Sequence, residues 1–594
     1  MDLASADLSN VWTQRLAYCA VYLWSAICFT CQGADPDLWG HVQYGRDFFK
    51  HGLEFTTTYS FTTKDYAWIN HENLSEILMA LGADTVGAAG LVVAKCLMGL
   101  LVVSLVLLRG RQVRARTPSV VATCVLLSVS LLTGWTMRPQ LMTYTLFALM
   151  IWLLTWCFED WEAKWGISFE DRSESESNDH DVELELPGVG TSFEGAPAWS
   201  DRWHWLWLLL PIFVVWTNSH GGFVAGIAVA LAYLGLRSVQ LLWQHKGRAS
   251  RSVCYLALIM VATMAVTLIN PYGVGLHRWL IGSLGIPRPE IVEWTALNFE
   301  TPKGMIFALV LLSILGAARL SERKLDIPHT MILLLIGIQA VRQHRHVPFF
   351  AIIFAFWLLP HIDAFLFGTG AKRQRRGLSE NTSFYASLAL GILCFTLCFR
   401  LGPQLTRIAV PKSRYPVDAF KFMETNGINK GKIVTTYGWA QYLIGAFGTR
   451  GTERDGLLVG FDGRFRTCYP QKLLDAYLDL ELGESQARYR HPDSPSVDGR
   501  RALDIGRPDL VLAMRTQTPA IRTMIEAGKS GEWVPLYQDK IAQLWGRAYI
   551  YDDSDRETYV RPEKRRLTEY GSTAVVPWPA FPDGSRSRFR FLSN

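Results

Sequence analysis

The chain has 594 residues, 49% of them hydrophobic, with 22 Trp and a mean hydropathy of +0.13. Uncharged apolar stretches of roughly 17 to 25 residues, the length that crosses a bilayer, recur along it, which excludes an ordinary soluble globular protein. The net charge of +6 is gathered in short loops and no basic face is interleaved with aromatics, so it points to membrane orientation and excludes nucleic acid as the partner.

Apolar runs predict about eleven transmembrane helices, at residues 11–31, 84–108, 118–135, 140–157, 203–218, 222–243, 253–269, 304–319, 328–341, 347–360 and 384–400. The first is longer than a signal-peptide core and lacks a clear small-residue cleavage site, so it reads as an uncleaved span. Four connectors, 109–116, 246–251, 319–324 and 372–376, are strongly basic and fall on one side if the spans alternate. The positive-inside rule makes that side cytoplasmic, placing the N-terminus inside and everything after residue 401 outside, in a cytoplasmic (inner) membrane. Residues 1–400 then form the transmembrane domain, with a first outer loop at about 32–83 and an acidic cytoplasmic loop at about 159–202, whose Glu/Asp/Ser-rich middle reads as disordered. After residue 401 the composition becomes that of a soluble domain. Helix-like spacing at 418–426, an amphipathic stretch at 439–447 and short strand-like runs at 432–436, 509–513 and 542–545 predict a small α/β domain over 401–560. Residues 561–594, rich in Arg, Pro and Ser, read as a tail. Of the 10 Cys, none belongs to a paired zinc frame; all but Cys468 lie in or beside apolar runs.

Polar motifs cluster at the outer ends of these runs. Asp35 and Asp37 follow the first span on a Pro-containing turn, where two acids can bind a cation or divide the roles of base and orienting group; solvated loop acids are the alternative. They are followed by Trp39, His41 and Arg46, and then by a stretch in which His71 and Ser75, and Glu72 and Glu76, fall at i,i+4 on an expected interfacial helix. Arg138, in the tight turn after the third span, and Arg342, His344, Arg345 and His346, after the ninth, supply cationic donors at the same depth. Guanidiniums match phosphate oxygens in bidentate geometry, and snorkelling to headgroups is the plainer reading. His220 ends a span beside two glycines and reads equally as a structural hydrogen-bonding residue. Asn270 to Gly273 reads as a helix stop. Glu293-Trp294 reads as a cavity-lining loop or an interfacial aromatic beside a solvated acid. Tyr437-Gly438-Trp439 and Asp462-Gly463-Arg464 have turn chemistry and could face an acceptor.

With these residues in view, the chain resembles the GT-C superfamily of polytopic glycosyltransferases, which use polyprenyl-phosphate-linked sugars. Asp35-Pro36-Asp37-Leu38-Trp39-Gly40-His41 looks like the acidic first-loop motif that carries the catalytic base there, and its acid, second acid and His spacing is similar to that of the dolichyl-phosphate-glucose-dependent glucosyltransferases. Together with 68–76, 138–140, 218–222, 270–273 and 462–464 it is similar to bacterial multi-span proteins with a C-terminal outer domain, a likeness spanning roughly residues 11–550. The resemblance implies an α-helical polytopic GT-C-like fold and Asp35 or Asp37 as the catalytic residue. The basic, His-rich turn at 342–346 departs from many members.

The expected activity is transfer of a sugar, hexosyl or pentosyl, from a polyprenyl-phosphate donor to a glycan, lipid or protein acceptor at the outer membrane face. One base and direct displacement imply inversion. In this reading Asp35 and Asp37 are catalytic; Arg138, Arg345, His344 and His346 hold the donor phosphate; and His41, Arg46, His71, Glu72, Glu76, His220 and Glu293 contact substrate. A divalent ion, Mg or Mn, could sit between Asp35, Asp37 and His71 or Glu72, but a lipid monophosphate can leave without a metal. The rival readings are a transporter or flippase of an anionic lipid-linked substrate and a non-catalytic assembly protein whose outer domain is its working part. A transporter predicts charges within several spans and inverted repeats, and neither is evident in the sequence.

Overall fold

A computed structural model of the chain describes residues 3–30, 33–132, 134–167, 189–190, 199–321, 323–368, 378–450, 455–484 and 487–583. The expected disordered stretch at about 170–185, the basic connector 372–376 and the end of the expected tail lie outside them.

Each of the eleven apolar runs contains an α-helix. In chain order the helices of the first part are α1 Leu3–Phe29, α2 Leu38–His51, α3 Asn73–Thr85, α4 Gly87–Gln112, α5 Thr117–Leu132, α6 Gln140–Cys157, α7 Leu209–Thr217, α8 Phe223–His245, α9 Ser250–Val266, α10 Val274–Leu284, α11 Pro302–Leu320, α12 Ile327–Arg342, α13 Val347–Trp357, α14 Leu359–Phe367 and α15 Glu380–Gln404. Five of them, α4, α6, α8, α11 and α15, are long and apolar enough to cross a membrane; α13 with the turn before it and α14 form a sixth candidate bent by 54°. The chain is a multi-pass membrane protein. Helices α5, α9 and α12 are apolar but shorter, so this measure does not reach the expected eleven spans.

The caps follow local chemistry. Thr301 accepts from the Gly304 amide ahead of α11, Asp326 from the His329 amide ahead of α12, and Ser379 from the Thr382 amide ahead of α15. Side-chain oxygens thus satisfy amides that have no partner within the helix. Helix α6 is apolar all round and largely buried, as a helix at the centre of a bundle must be. By contrast, α15 leaves Phe384, Leu388, Ile392, Phe395 and Phe399 uncovered, a face suited to lipid.

One end of the bundle is tied by buried ion pairs. Arg237 grips both oxygens of Asp326 at 3.0 Å, and Arg109 donates to Glu162 at 2.6 Å. Short strands β1 Gly166–Ile167, β2 Val189–Gly190 and β3 Leu325–Asp326 form a small sheet, ordered β2-β1-β3, at that end. The polar motifs gather at the other end.

Beyond α15 the chain carries β4 Ala409–Pro411, α16 Val417–Thr425, β5 Gly431–Thr435, α17 Tyr437–Phe447, β6 Leu457–Val459, α18 Gln471–Leu482, α19 Arg501–Asp504, β7 Leu510–Met514, α20 Thr518–Lys529, β8 Trp533–Gln538, β9 Ala542–Arg547, β10 Arg566–Leu567 and β11 Val575–Pro577. Six strands form one sheet ordered β10-β8-β9-β7-β5-β6, in which β5 runs parallel to both β6 and β7. The expected tail at 561–594 differs. It adds β10 to this sheet and pairs β11 with β4. Trp578 and Phe581 are buried, and Phe581 stacks on Tyr442. Two aromatic anchors hold a segment whose composition alone reads as loose.

Burial divides into two cores. One is formed by the apolar helices. The other joins residues from Ala34 to Met79 and the start of α4, Leu91 and Val92, with those between Ile408 and Phe581. Trp39 links the two segments, donating to the Pro579 carbonyl at 2.9 Å, and Tyr44 donates to Gln441 at 2.9 Å. The loop that carries Asp35 and Asp37 is therefore packed against the sheet's helix α17.

Candidate active site

The turn between α1 and α2 presents Asp35 and Asp37, and Arg138, from the turn before α6, stands between them. Its Nε lies 2.5 Å from Asp35 Oδ1, an Nη 3.0 Å from Asp37 Oδ2, and the other Nη 3.5 Å from Glu293 Oε1. Asp35 is buried and also accepts from the Asp37 amide, whereas the Asp37 side chain is 28% exposed. Burial raises the Asp37 pKa; Arg138 works against that rise and Asp35 adds to it. Asp37 is thus the more accessible of the two carboxylates, and burial makes it a stronger base than an ordinary aspartate. Arg138 is matched by carboxylates, so the expected role for it at a donor phosphate gives way to one of clamping the acids. It also fills the position expected for a metal between Asp35 and Asp37.

Glu72 and Glu76 stand beside this pair, surrounded by imidazoles. The expected helix through residue 71 begins only at Asn73, because Asn70 turns the chain. Its Oδ1 accepts from the Glu72 amide at 3.1 Å and its Nδ2 donates to Glu76 at 2.6 Å. His41, on α2, lies 3.0 Å from Glu76 and 4.0 Å from Glu72. Burial works against charge on His41, but the Glu76 hydrogen bond and the charges of Glu72, Glu76 and Asp37 prevail and lift its pKa to about 9.

His71 lies 3.9 Å and His220 3.6 Å from the other Glu72 oxygen. The Gly222 amide and the Thr143 hydroxyl both meet His220 Nδ1. Because the Gly222 amide donates to Nδ1, that nitrogen is an acceptor, the Thr143 hydroxyl donates to it as well, and the His220 proton resides on Nε2, towards Glu72. Burial lowers the His220 pKa to about 3, so it is a neutral donor. Burial raises the Glu72 pKa, but the three histidines and Arg138 outweigh that and lower it.

One ligand atom each from His41, Glu72 and Glu76 lies within 4.8 Å of the others, a donor set suited to a hard or borderline divalent ion. Both Glu76 oxygens already have partners, His41 and Asn70, so a metal would displace one of them.

From His71, His220 and Glu293 a cavity of about 730 Å³ extends between the helices. Ala225, Ala228 and Ala232 of α8, with Ile332, Leu335 and Ile336 of α12, give it apolar walls. The alanine spacing puts small side chains on one helix face, which leaves the room. Its basic lining residues are Arg288, Arg345, His346, Arg464 and Arg466.

Arg466 faces Glu290 at 2.7 Å and Arg464 grips Asp462. The guanidiniums of Arg288 and Arg345 lie 4.5 and 4.3 Å from the centroid of the one Trp294 indole, and neither has a carboxylate partner among the described residues. Burial and the neighbouring Arg466 and Arg345 lower the Arg288 pKa to about 10. Its Nε is buried without a hydrogen bond. Two guanidiniums on one indole give this part of the cavity wall a positive character that suits an anion.

Of the residues expected from the sequence, Asp35, Asp37, His41, His71, Glu72, Glu76, Arg138, His220 and Glu293 converge, and Arg345 and His346 line the cavity. Arg46 does not join them, since it is buried against Asp84. His344 points to Lys303 at 2.9 Å and is absent from the cavity wall. The Asn218 and Asn270 motifs are clamps: Asn218 bonds the Ile269 carbonyl, and Tyr272 accepts from the Asn70 amide. Sequence reasoning missed Arg288 and Arg466, although Arg466 lies two residues after the Asp462-Gly463-Arg464 turn and Arg288 shortly before Glu293-Trp294. That proximity to a motif was the available signal.

No protein-family model matches the chain, and no curated protein matches it. Among solved structures, it is similar to the archaeal oligosaccharyltransferase AglB from Archaeoglobus fulgidus in complex with an inhibitory peptide and a dolichol-phosphate, at 11% identity and a TM-score of 0.48, over 83% of this chain and 69% of that one. It is similar to ArnT from Cupriavidus metallidurans bound to undecaprenyl phosphate, at 10% identity and a TM-score of 0.46, over 90% of this chain and 98% of that one. A third likeness is to the arabinofuranosyltransferase AftD from Mycobacteria, at 12% identity and a TM-score of 0.41, over 91% of this chain and 40% of that one.

Proposed function

We propose that the chain is a GT-C-type membrane glycosyltransferase that moves a sugar from a polyprenyl-phosphate donor to an acceptor hydroxyl at the extracytoplasmic face. The observation that carries this reading is the cavity, apolar between α8 and α12 and lined by Arg288 and Arg345, which make no salt bridge among the described residues, with His71, His220 and Glu293 at its polar end. An apolar slot with cations in its wall suits a lipid phosphate, whose chain lies between helices while its head meets the guanidiniums.

Asp37 accepts the proton of the incoming hydroxyl as that oxygen bonds the anomeric carbon. The bond from that carbon to the phosphate oxygen breaks, and the lipid phosphate leaves with the bonding pair. Arg288 and Arg345 hold the negative charge that develops there, an electrostatic contribution that mutagenesis of comparable sites puts at about 3 kcal/mol per donor. Asp35 holds Arg138, and Arg138 holds Asp37 in place. Direct displacement with one base inverts the sugar carbon.

The test is donor turnover by purified protein with radiolabelled polyprenyl-phosphate sugars and a membrane extract as acceptor source, with and without chelator. Transfer by wild type that Asp37→Asn abolishes is the expected result. Folded protein that binds undecaprenyl phosphate and transfers nothing across a broad donor panel would move the reading to a flippase.

A further inference from the structure

The proposed transfer needs an acceptor on the solvent side of Asp37, and that side is built by the six-stranded sheet. Strand β5 lies between β6 and β7 and runs parallel to both. The chain leaves β5 for β6 on one flank and then crosses to β7 on the other. Such a reversal opens a crevice at the carboxyl ends of the strands, where open α/β sheets bind ligands. Tyr437, the first residue of α17, stands at this crevice.

The other aromatics of α17, Trp439, Tyr442 and Phe447, are at most 2% exposed, whereas Tyr437 is 37% exposed. Its ring meets Phe465 at 5.3 Å, nearly edge-on, and Phe465 is part of the cavity wall. Phe465 is held at a φ of 45°, a backbone conformation rarely adopted by a bulky side chain and one that clusters at ligand clamps. Phe465 follows by two residues Gly463, which packs against Asp37, so the aromatic pair lies near the base as well as at the cavity.

We propose that Tyr437, backed by Phe465, is the acceptor subsite, and that it stacks against a sugar ring, so the acceptor is a glycan. This rests on the glycosyltransferase reading above. The C–H face of a pyranose or furanose packs on an aromatic face, and the tyrosine hydroxyl adds one polar handle. A peptide docks mainly through backbone hydrogen bonds, and the backbone here is engaged. The Tyr437 amide donates to Glu481 at 2.8 Å, the Thr436 amide to Leu512, and the Trp439 amide to Thr436.

The full chain in lipid nanodiscs, as wild type, Tyr437→Phe, Tyr437→Leu and Tyr437→Ala, is applied to an array of labelled cell-surface oligosaccharides and to an array of hydroxyl-bearing peptides. Fluorescent undecaprenyl phosphate binding is measured on the same samples. Wild type and Tyr437→Phe are expected to retain glycans, with at least tenfold weaker retention by Tyr437→Leu and Tyr437→Ala and unchanged lipid-phosphate binding. Glycan retention that survives in the Leu and Ala variants, or wild type that retains peptides and no glycan, would overturn the assignment. Wild type that holds glycans through Tyr437 but not undecaprenyl phosphate would overturn the donor reading and leave the glycan subsite standing.

Discussion

Gly463 packs against Asp37 so closely that a Cβ at position 463 would stand 2.8 Å from Asp37 Oδ1. The Asp462-Gly463-Arg464 turn, more than 400 residues further along the chain, is thereby the surface on which the carboxylate rests. Gly463→Ala is expected to lower kcat about tenfold to a hundredfold, because a catalytic group displaced by a fraction of an ångström to one ångström costs that much. The melting temperature should move little, since the displaced atom is the end of a side chain. An unchanged kcat with a folded protein would mean that Asp37 tolerates the shift and is not the base.

The two acids differ in environment, and their variants should differ accordingly. Asp37→Asn removes the base and should lower kcat by about 10²- to 10⁴-fold. Asp35→Asn leaves the base but takes away the negative charge that Arg138 meets at 2.5 Å, so its loss should be smaller. It should also shift the pH profile. The Asp35 charge contributes to raising the Asp37 pKa, so without it the acid limb of kcat/KM moves to lower pH. Equal losses in the two variants with an unmoved acid limb would reverse the roles assigned here.

The helices were legible because their apolar runs leave little else for a chain in a membrane to do, and the convergence of Asp35, Asp37, Glu72, Arg138 and His220 was legible because all sit at run ends on one side. What the sequence hid is partnership. Nothing around Arg46 distinguishes it from Arg345, yet one is spent on Asp84 and the other is left to a Trp ring. Arg138 reads as a phosphate ligand until three carboxylates are found around it. Long-range pairing also moved the chain's later boundary, since Trp39 bonds Pro579 across a separation that no local pattern reports.

Arg288 and Arg345 are expected to exchange stability for binding. The Arg345 charge helps to lower the Arg288 pKa, and both guanidiniums lie over Trp294. Removing one charge, as Arg288→Gln or Arg345→Gln, should raise the melting temperature of the lipid-free protein slightly while weakening undecaprenyl phosphate binding at least tenfold, the loss of one or more charge-assisted hydrogen bonds. Strained or uncompensated groups at functional sites show this opposition. Binding and stability that fall together would make these arginines structural.

His41 ties the site to the stability of the whole fold. Its folded pKa of about 9 exceeds the ordinary 6.5, so the folded state holds a proton that the unfolded state releases between those values. The stabilisation is therefore fully present below pH 6.5 and is lost as pH rises through 9. A shift of that size corresponds to roughly 3 kcal/mol at most. Thermal unfolding in detergent from pH 6 to 10 should show wild type losing its advantage over His41→Gln across that window. A constant difference between the two across the range would mean that the His41–Glu76 contact at 3.0 Å is a neutral hydrogen bond and that Glu72 owes its ionisation to His71, His220 and Arg138 alone.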